Sequence, residues 1–193
     1  MLLSDGSTFL AQPLEEFSKD LVNTTPLKLV GIIVTGRGGV KRGTFENLEL
    51  SPTGEIFYRN GDFYNGDLVD EKKHGKGEFI EFKTMSRYVG NFKNDLKQGE
   101  AVEQYKDGSV YKGTFFQGVC SGLGILNHIN GSYYQGEFKN GVIHGEGKLV
   151  VPGSEDYQGD FKNGKYHGVG TLKSEFGALY VGEFKNGMMD GNG

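Results

Sequence analysis

The pattern Tyr-x-Gly recurs along this chain with a period of 23 residues, and no other feature constrains the fold as tightly. It falls at Tyr64/Gly66, Tyr88/Gly90, Tyr111/Gly113, Tyr134/Gly136, Tyr157/Gly159 and Tyr180/Gly182, in steps of 24, 23, 23, 23 and 23 residues. Self-similarity at a period of about 20–50 residues marks an array in which each repeat leans on its neighbours. Such an array grows one core with repeat number, so a partner-binding array is expected rather than a compact catalytic domain.

The repeat has an internal logic, clearest from Tyr134 to Leu149. Tyr134, Gly136 and Phe138 alternate with Gln135, Glu137 and Lys139, the period of two that gives a strand one aromatic and one polar face. Asn140-Gly141 follows, and Asn163-Gly164 and Asn186-Gly187 fall at the same phase. Asn-Gly is a hairpin signal because both central residues must tolerate positive φ. The return strand carries Gly145-x-Gly147-x-Leu149, and glycine inside a strand leaves a gap across which a neighbouring ring can lie. Two strands per repeat at about 4.8 Å each give a rise of about 9.6 Å, so six or seven repeats predict an elongated single-layer antiparallel sheet of about 60 Å.

The aromatic positions form columns. Phe45, Leu68, Phe92, Phe115, Phe138, Phe161 and Phe184 make one, and Ile56, Phe79, Leu126, Leu149 and Leu172 a second that Glu103 interrupts. Ala101 stands where a return-strand glycine is expected, and the stretch Lys83 to Arg87 carries one extra residue, which predicts a bend or bulge mid-array. The columns must hold the repeats together. A single layer has no second layer to cover them, so open tyrosine edges are expected to anchor a partner. The expected partner groove is thus Tyr64, Tyr88, Tyr111, Tyr134, Tyr157 and Tyr180 with Phe92, Phe115, Phe138, Phe161 and Phe184.

The motif Tyr-x-Gly-x-Phe-x-Asn-Gly-x-x-His-Gly-x-Gly, nearly intact from Tyr134 to Gly147 and from Tyr157 to Gly170, resembles the MORN (membrane occupation and recognition nexus) repeat. The resemblance runs from about Lys41 to Gly193 and implies stacked β-hairpins with no activity of their own. It also implies a partner helix or extended segment bound along the array. Such arrays occur in cytoskeletal and ciliary scaffolds such as radial-spoke proteins, at membrane contacts in junctophilins, and attached to phosphatidylinositol phosphate kinases and a histone lysine methyltransferase. The motif's histidine is present at His74, His144 and His167 but replaced by Gln98, Ser121 and Asp190 elsewhere.

Other chemistries find little support. A net charge of −4 gives no general attraction to nucleic acid. The single cysteine, Cys120, cannot form an internal disulfide and suits a reducing compartment. No signal or membrane-spanning stretch is visible. His144 and His167 lie a full repeat apart, about 10 Å by strand spacing, too far to share a zinc ion whose ligands each lie at about 2 Å. A turn-capping or surface role is expected for these histidines, and no metal or cofactor. No serine or cysteine has a phased histidine and carboxylate partner, so an enzyme is not expected. The segment Gly36 to Gly43, with Arg37, Lys41 and Arg42, is the candidate for an anionic ligand such as a lipid headgroup. The lysines before each turn are offset by Glu137, Asp160 and Glu183 on the same outward face, which reads as a solvated back face.

Residues 1–26 form an extension in which Pro13 is placed to start a short helix with Leu14, Phe17, Leu21 and Val22 on one face, capping the first strand or docking a partner. Residues 27–193 form the array: degenerate first repeats, then six recognisable ones, the last incomplete, so that the chain continues or a neighbour completes the edge. The expected function is a non-catalytic scaffold subunit of a large cytoskeletal or ciliary assembly in the cytoplasm, with other protein subunits as partners and end-to-end or homodimeric association open. The alternatives are a peripheral adaptor on anionic lipid and a targeting module of a larger enzyme.

Overall fold

The computed structural model describes residues 8–13, 28–35, 39–46, 49–191 and 193. Every regular element among them is a strand. The chain divides into two compact units, residues 1–96 and 97–193. The N-terminal unit carries β1 (Thr8–Pro13), β2 (Lys28–Val34), β3 (Val40–Glu46), β4 (Glu49–Phe57), β5 (Phe63–Val69), β6 (Lys72–Glu81) and β7 (Ser86–Lys93). The C-terminal unit carries β8 (Leu96–Gln104), whose first residue lies at the division, β9 (Val110–Phe116), β10 (Val119–Asn127), β11 (Tyr133–Lys139), β12 (Val142–Val151), β13 (Glu155–Lys162), β14 (Lys165–Ser174), β15 (Leu179–Lys185) and β16 (Met188–Asp190). Within each unit every strand pairs antiparallel with its sequence neighbours.

The hairpin turns follow the expected chemistry. Asn140, Asn163 and Asn186 have φ of 51°, 53° and 55°, with Gly141, Gly164 and Gly187 at 79°, 77° and 90°, the doubly left-handed turn whose twist suits a hairpin. Each turn glycine also donates its N–H to a carbonyl of the preceding repeat: Gly141 to Cys120 at 2.8 Å, Gly164 to Ile143 at 2.9 Å and Gly187 to Tyr166 at 2.9 Å. Successive turns are therefore latched together beside the sheet ladder. At the other edge of the strands Gly108 and Gly131 both stand at φ 84°, and in the loop with the extra residue Met85 takes a left-handed conformation, φ 52°.

Bulging is general rather than confined to mid-array. The register shifts at the glycine in β3/β4, β5/β6, β9/β10, β11/β12 and β13/β14. In β11/β12, Gly136 pairs with Gly147 while Glu137 pairs with His144, so Gly145 and Glu146 are extra residues, with Gly145 at φ 59°. The freed amide at the bulge is taken by an acidic side chain: Asp67 accepts from Lys76 N–H at 2.8 Å, Glu137 from Glu146 N–H at 3.3 Å and Asp160 from Val169 N–H at 3.4 Å. Acidic residues read as counter-charges on a solvated face thus have a backbone role as well.

The N-terminal extension departs from expectation. Pro13 closes strand β1, with the register Pro13↔Leu29, instead of opening a helix. The remainder of the expected helix, including Leu14, Phe17, Leu21 and Val22, lies outside the described residues.

Candidate functional site

The aromatic columns form the core instead of an open groove. Tyr64, Tyr88, Tyr134 and Tyr157 are 0% exposed and Tyr111 1%, while Phe92, Phe115, Phe138, Phe161 and Phe184 are at most 6% exposed. Tyr180 is half-buried. The bulge covers the rings of the single layer. Across each glycine pair the sheet comes close enough for a tyrosine ring to lie flat on its own backbone, so a Cβ built on Gly147 would stand 2.5 Å from Tyr134 Cε2. The Tyr134 hydroxyl donates to the Glu137 carbonyl at 3.0 Å, and Tyr157 repeats this with Asp160 at 3.0 Å. Each ring is then flanked edge-on by two phenylalanines: Tyr134 by Phe138 at 5.2 Å and Phe161 at 5.1 Å, Tyr157 by Phe161 and Phe184 at 5.0 Å. Edge-to-face pairs contribute about 0.5–1.5 kcal/mol beyond area burial, so the ladder binds one repeat to the next.

Burial pushes the Tyr134 hydroxyl up to about 12, with the Glu137 charge adding to it, and Tyr58 rises to about 12 through burial, Asp95 and Asp62. A folded state that holds these protons above the unfolded value of about 10 is fully stabilised by them below that pH. The contribution is lost as pH rises from about 10 through about 12. Phenolate absorbance at 295 nm is therefore expected to rise cooperatively with loss of β-sheet circular dichroism in that window; a non-cooperative titration with the sheet intact would contradict the packing.

The interruption at Glu103 is a buried ion pair. Glu103, 5% exposed, pairs with Tyr111 in register and is held by Lys97. Lys97 Nζ also lies 5.8 Å from the Phe115 ring centroid. One repeat later the position of Lys97 is taken by Cys120, whose Sγ is 3.9 Å from the Tyr105 hydroxyl and whose thiol burial pushes up.

The recurring polar position of the motif caps a turn at His144 and Gln98, whereas the Nδ1 atoms of His74 and His167 are buried without a hydrogen-bond partner. His144 Nδ1 accepts the Asn163 N–H at 3.4 Å, and Gln98 Oε1 accepts the Gln117 N–H at 3.4 Å, each linking one repeat to the turn of the next. Among the described residues no group of three or more His, Cys, Asp or Glu is placed to hold a metal ion. No helix among them is long and apolar enough to cross a membrane. Of the expected anionic-ligand segment, Arg37 lies outside the described residues. Lys41 is engaged by Glu71, and Arg42, 66% exposed, lies 3.7 Å from Glu55.

The concavity lies on the opposite face. In the C-terminal unit a groove of about 1260 Å³ crosses the strands from β8 to β15, floored by the glycine pairs Gly113/Gly124, Gly136/Gly147 and Gly159/Gly170. Its side chains belong to the polar alternation: Lys112, Gln135, Lys148, Gln158 and Thr171 line the centre. Gln135, Lys148, Gln158 and Thr171 face one another across successive strands. Five carboxylates, Glu100, Glu137, Glu146, Asp156 and Asp160, outnumber three lysines, Lys112, Lys148 and Lys173. The residues that line the concavity are thus the ones between the aromatics, which sequence reasoning passed over. Their signal was the alternation, read as a solvated face because concavity depends on the bulge.

The sequence matches the MORN repeat over residues 64–80, 88–110, 111–133, 134–152, 157–175 and 180–193. A comparison with curated proteins finds no match. Among solved structures the chain is similar to the SAS-4 (dCPAP) TCP domain of Drosophila melanogaster, determined in complex with a proline-rich motif of Ana2 (dSTIL). The TM-score is 0.49 and the identity 10%, over 88% of this chain and 98% of that one.

Proposed function

Because the chain belongs to the MORN-repeat family, whose repeats commonly mediate protein or membrane interactions, we propose that it is a non-catalytic scaffold subunit of a large cytoskeletal or ciliary assembly. It holds an extended segment of another subunit in the glycine-floored groove. The groove itself carries this reading: it is a large concavity in the C-terminal unit, and hydrogen-bonding side chains line it. Anionic lipid is the weaker occupant, since the groove is net acidic and Lys41 is already engaged by Glu71.

Extraction of cells with non-ionic detergent tests the reading. The wild-type chain is expected to stay with the insoluble cytoskeletal fraction, and Gln135→Arg/Gln158→Arg, which fills the groove floor with bulk and positive charge, to be released with circular dichroism unchanged. Release of the wild type together with vesicle markers would overturn the scaffold reading, and retention of the double variant would overturn the groove.

A further inference from the structure

Resting on the groove as the binding site, we infer that its occupant is a segment of another protein in the polyproline II conformation, with a basic residue at every third position. The repeat and a polyproline II helix have matching periods. Successive repeats present equivalent groove side chains, Gln135 and then Gln158, two strands apart, which is about 9.4–9.8 Å. A polyproline II helix advances about 9.3 Å per turn of three residues, so every third residue returns to the same face one repeat further on.

The other regular conformations do not match. Two turns of α-helix advance about 10.8 Å, and the mismatch of more than 1 Å accumulates at each repeat. Three residues of a β-strand advance about 9.9 Å, but side chains alternate with period two, so the third residue points away from the groove. The polyproline II backbone makes no internal hydrogen bonds. Its carbonyls are therefore free to accept from the Gln135 and Gln158 amides and the Lys148 ammonium, which are half a repeat apart along the floor.

Charge selects the side chains. Along one wall Leu123 pairs with Glu137, Glu146 with Asp160 and Val169 with Glu183, so carboxylates recur from repeat to repeat, and Glu146 and Asp160 stand directly opposite as like charges. Like charges opposite one another on a sheet are destabilising, and a cation lying between them relieves the repulsion. Arginine or lysine at every third position of the occupant meets this wall once per repeat, while apolar residues between them contact Leu123, Ile125 and Val169.

The test uses a peptide of five Pro-Pro-Arg triplets and a peptide of the same composition with the arginines irregularly spaced, titrated against the full chain by fluorescence anisotropy. The triplet peptide is expected to bind about tenfold more tightly or better, and Glu146→Gln/Asp160→Asn, which neutralises the facing carboxylates, to remove that preference with circular dichroism unchanged. Equal affinity for the two peptides, no binding of either, or a preference that survives the double substitution would overturn the inference. The two readings fail separately. If detergent extraction shows a groove-dependent attachment while the triplet peptide has no advantage, the groove stands and the matching of periods falls. If attachment is groove-independent, the reading beneath it falls as well.

Discussion

Alanine in place of Gly147 is expected to destabilise the C-terminal unit by about 3 kcal/mol, the upper part of the range for overpacking a close-packed site. The added methyl would stand 2.5 Å from Tyr134 Cε2 and 2.6 Å from Cζ, and that ring, 0% exposed, is hemmed in by Phe138 and Phe161. It cannot swing away without giving up both edge-to-face contacts and the hydrogen bond to the Glu137 carbonyl. Removing the ring by Tyr134→Ala creates a cavity and costs about 3–5 kcal/mol on its own. In the double variant the alanine methyl occupies space the ring has left, so the two effects should fall short of additivity by more than about 1 kcal/mol. Urea midpoints for the four proteins measure this. Additive effects, or a Gly147→Ala variant as stable as one with Gln135→Ala at an exposed position of the neighbouring strand, would show that the ring does not lie across the glycine pair.

Removing Lys97 alone is expected to cost about 3 kcal/mol, because it strands the Glu103 carboxylate, 5% exposed, in an aromatic core. Replacing both partners by apolar residues, Lys97→Met with Glu103→Leu, is expected to be neutral or stabilising. The neighbouring repeats carry Leu126, Leu149 and Leu172 at the Glu103 position, and each packs between two tyrosines. Buried pairs frequently behave this way: the attraction between the charges barely offsets their desolvation, while an unpaired survivor is costly. Thermal midpoints of the single and double variants decide it. A double variant as damaged as Lys97→Met would mean that the pair contributes to stability beyond mutual compensation.

Periodicity carried most of the architecture. The 23-residue phase, the alternation around Tyr134 and the Asn-Gly turns lead directly to hairpins paired in sequence order within each unit, and the turn residues Asn140 and Gly141 adopt the left-handed conformations their chemistry invites. Strand β1 was not legible, because Thr8 to Pro13 shares nothing with the repeat and its proline points to a helix start. The location of the groove was not legible for a different reason. Alternation separates Gln135 from Tyr134 but does not say which face is covered; that depends on two extra residues at Gly145 and Glu146 and on the approach of Gly136 to Gly147. These bring the ring onto its own sheet, close the aromatic face and leave the polar one concave. The role of His144 as a cap of the following turn was readable from phase, since a residue repeated with the turn geometry is placed to serve that turn, whereas Gln98, which departs from the motif, takes the same role without a sequence signal for it.

The claim on which the functional account turns is that partners enter by the polar, glycine-floored face and not by the aromatic one. Photo-crosslinking from benzoylphenylalanine decides between them most directly, with the probe placed in cells at Gln135, inside the groove, or at half-buried Leu149, on the ring face. The account predicts a discrete crosslinked protein from position 135 and none from position 149. The same protein captured from position 149, with nothing from position 135, would return the binding site to the aromatic face and contradict the account.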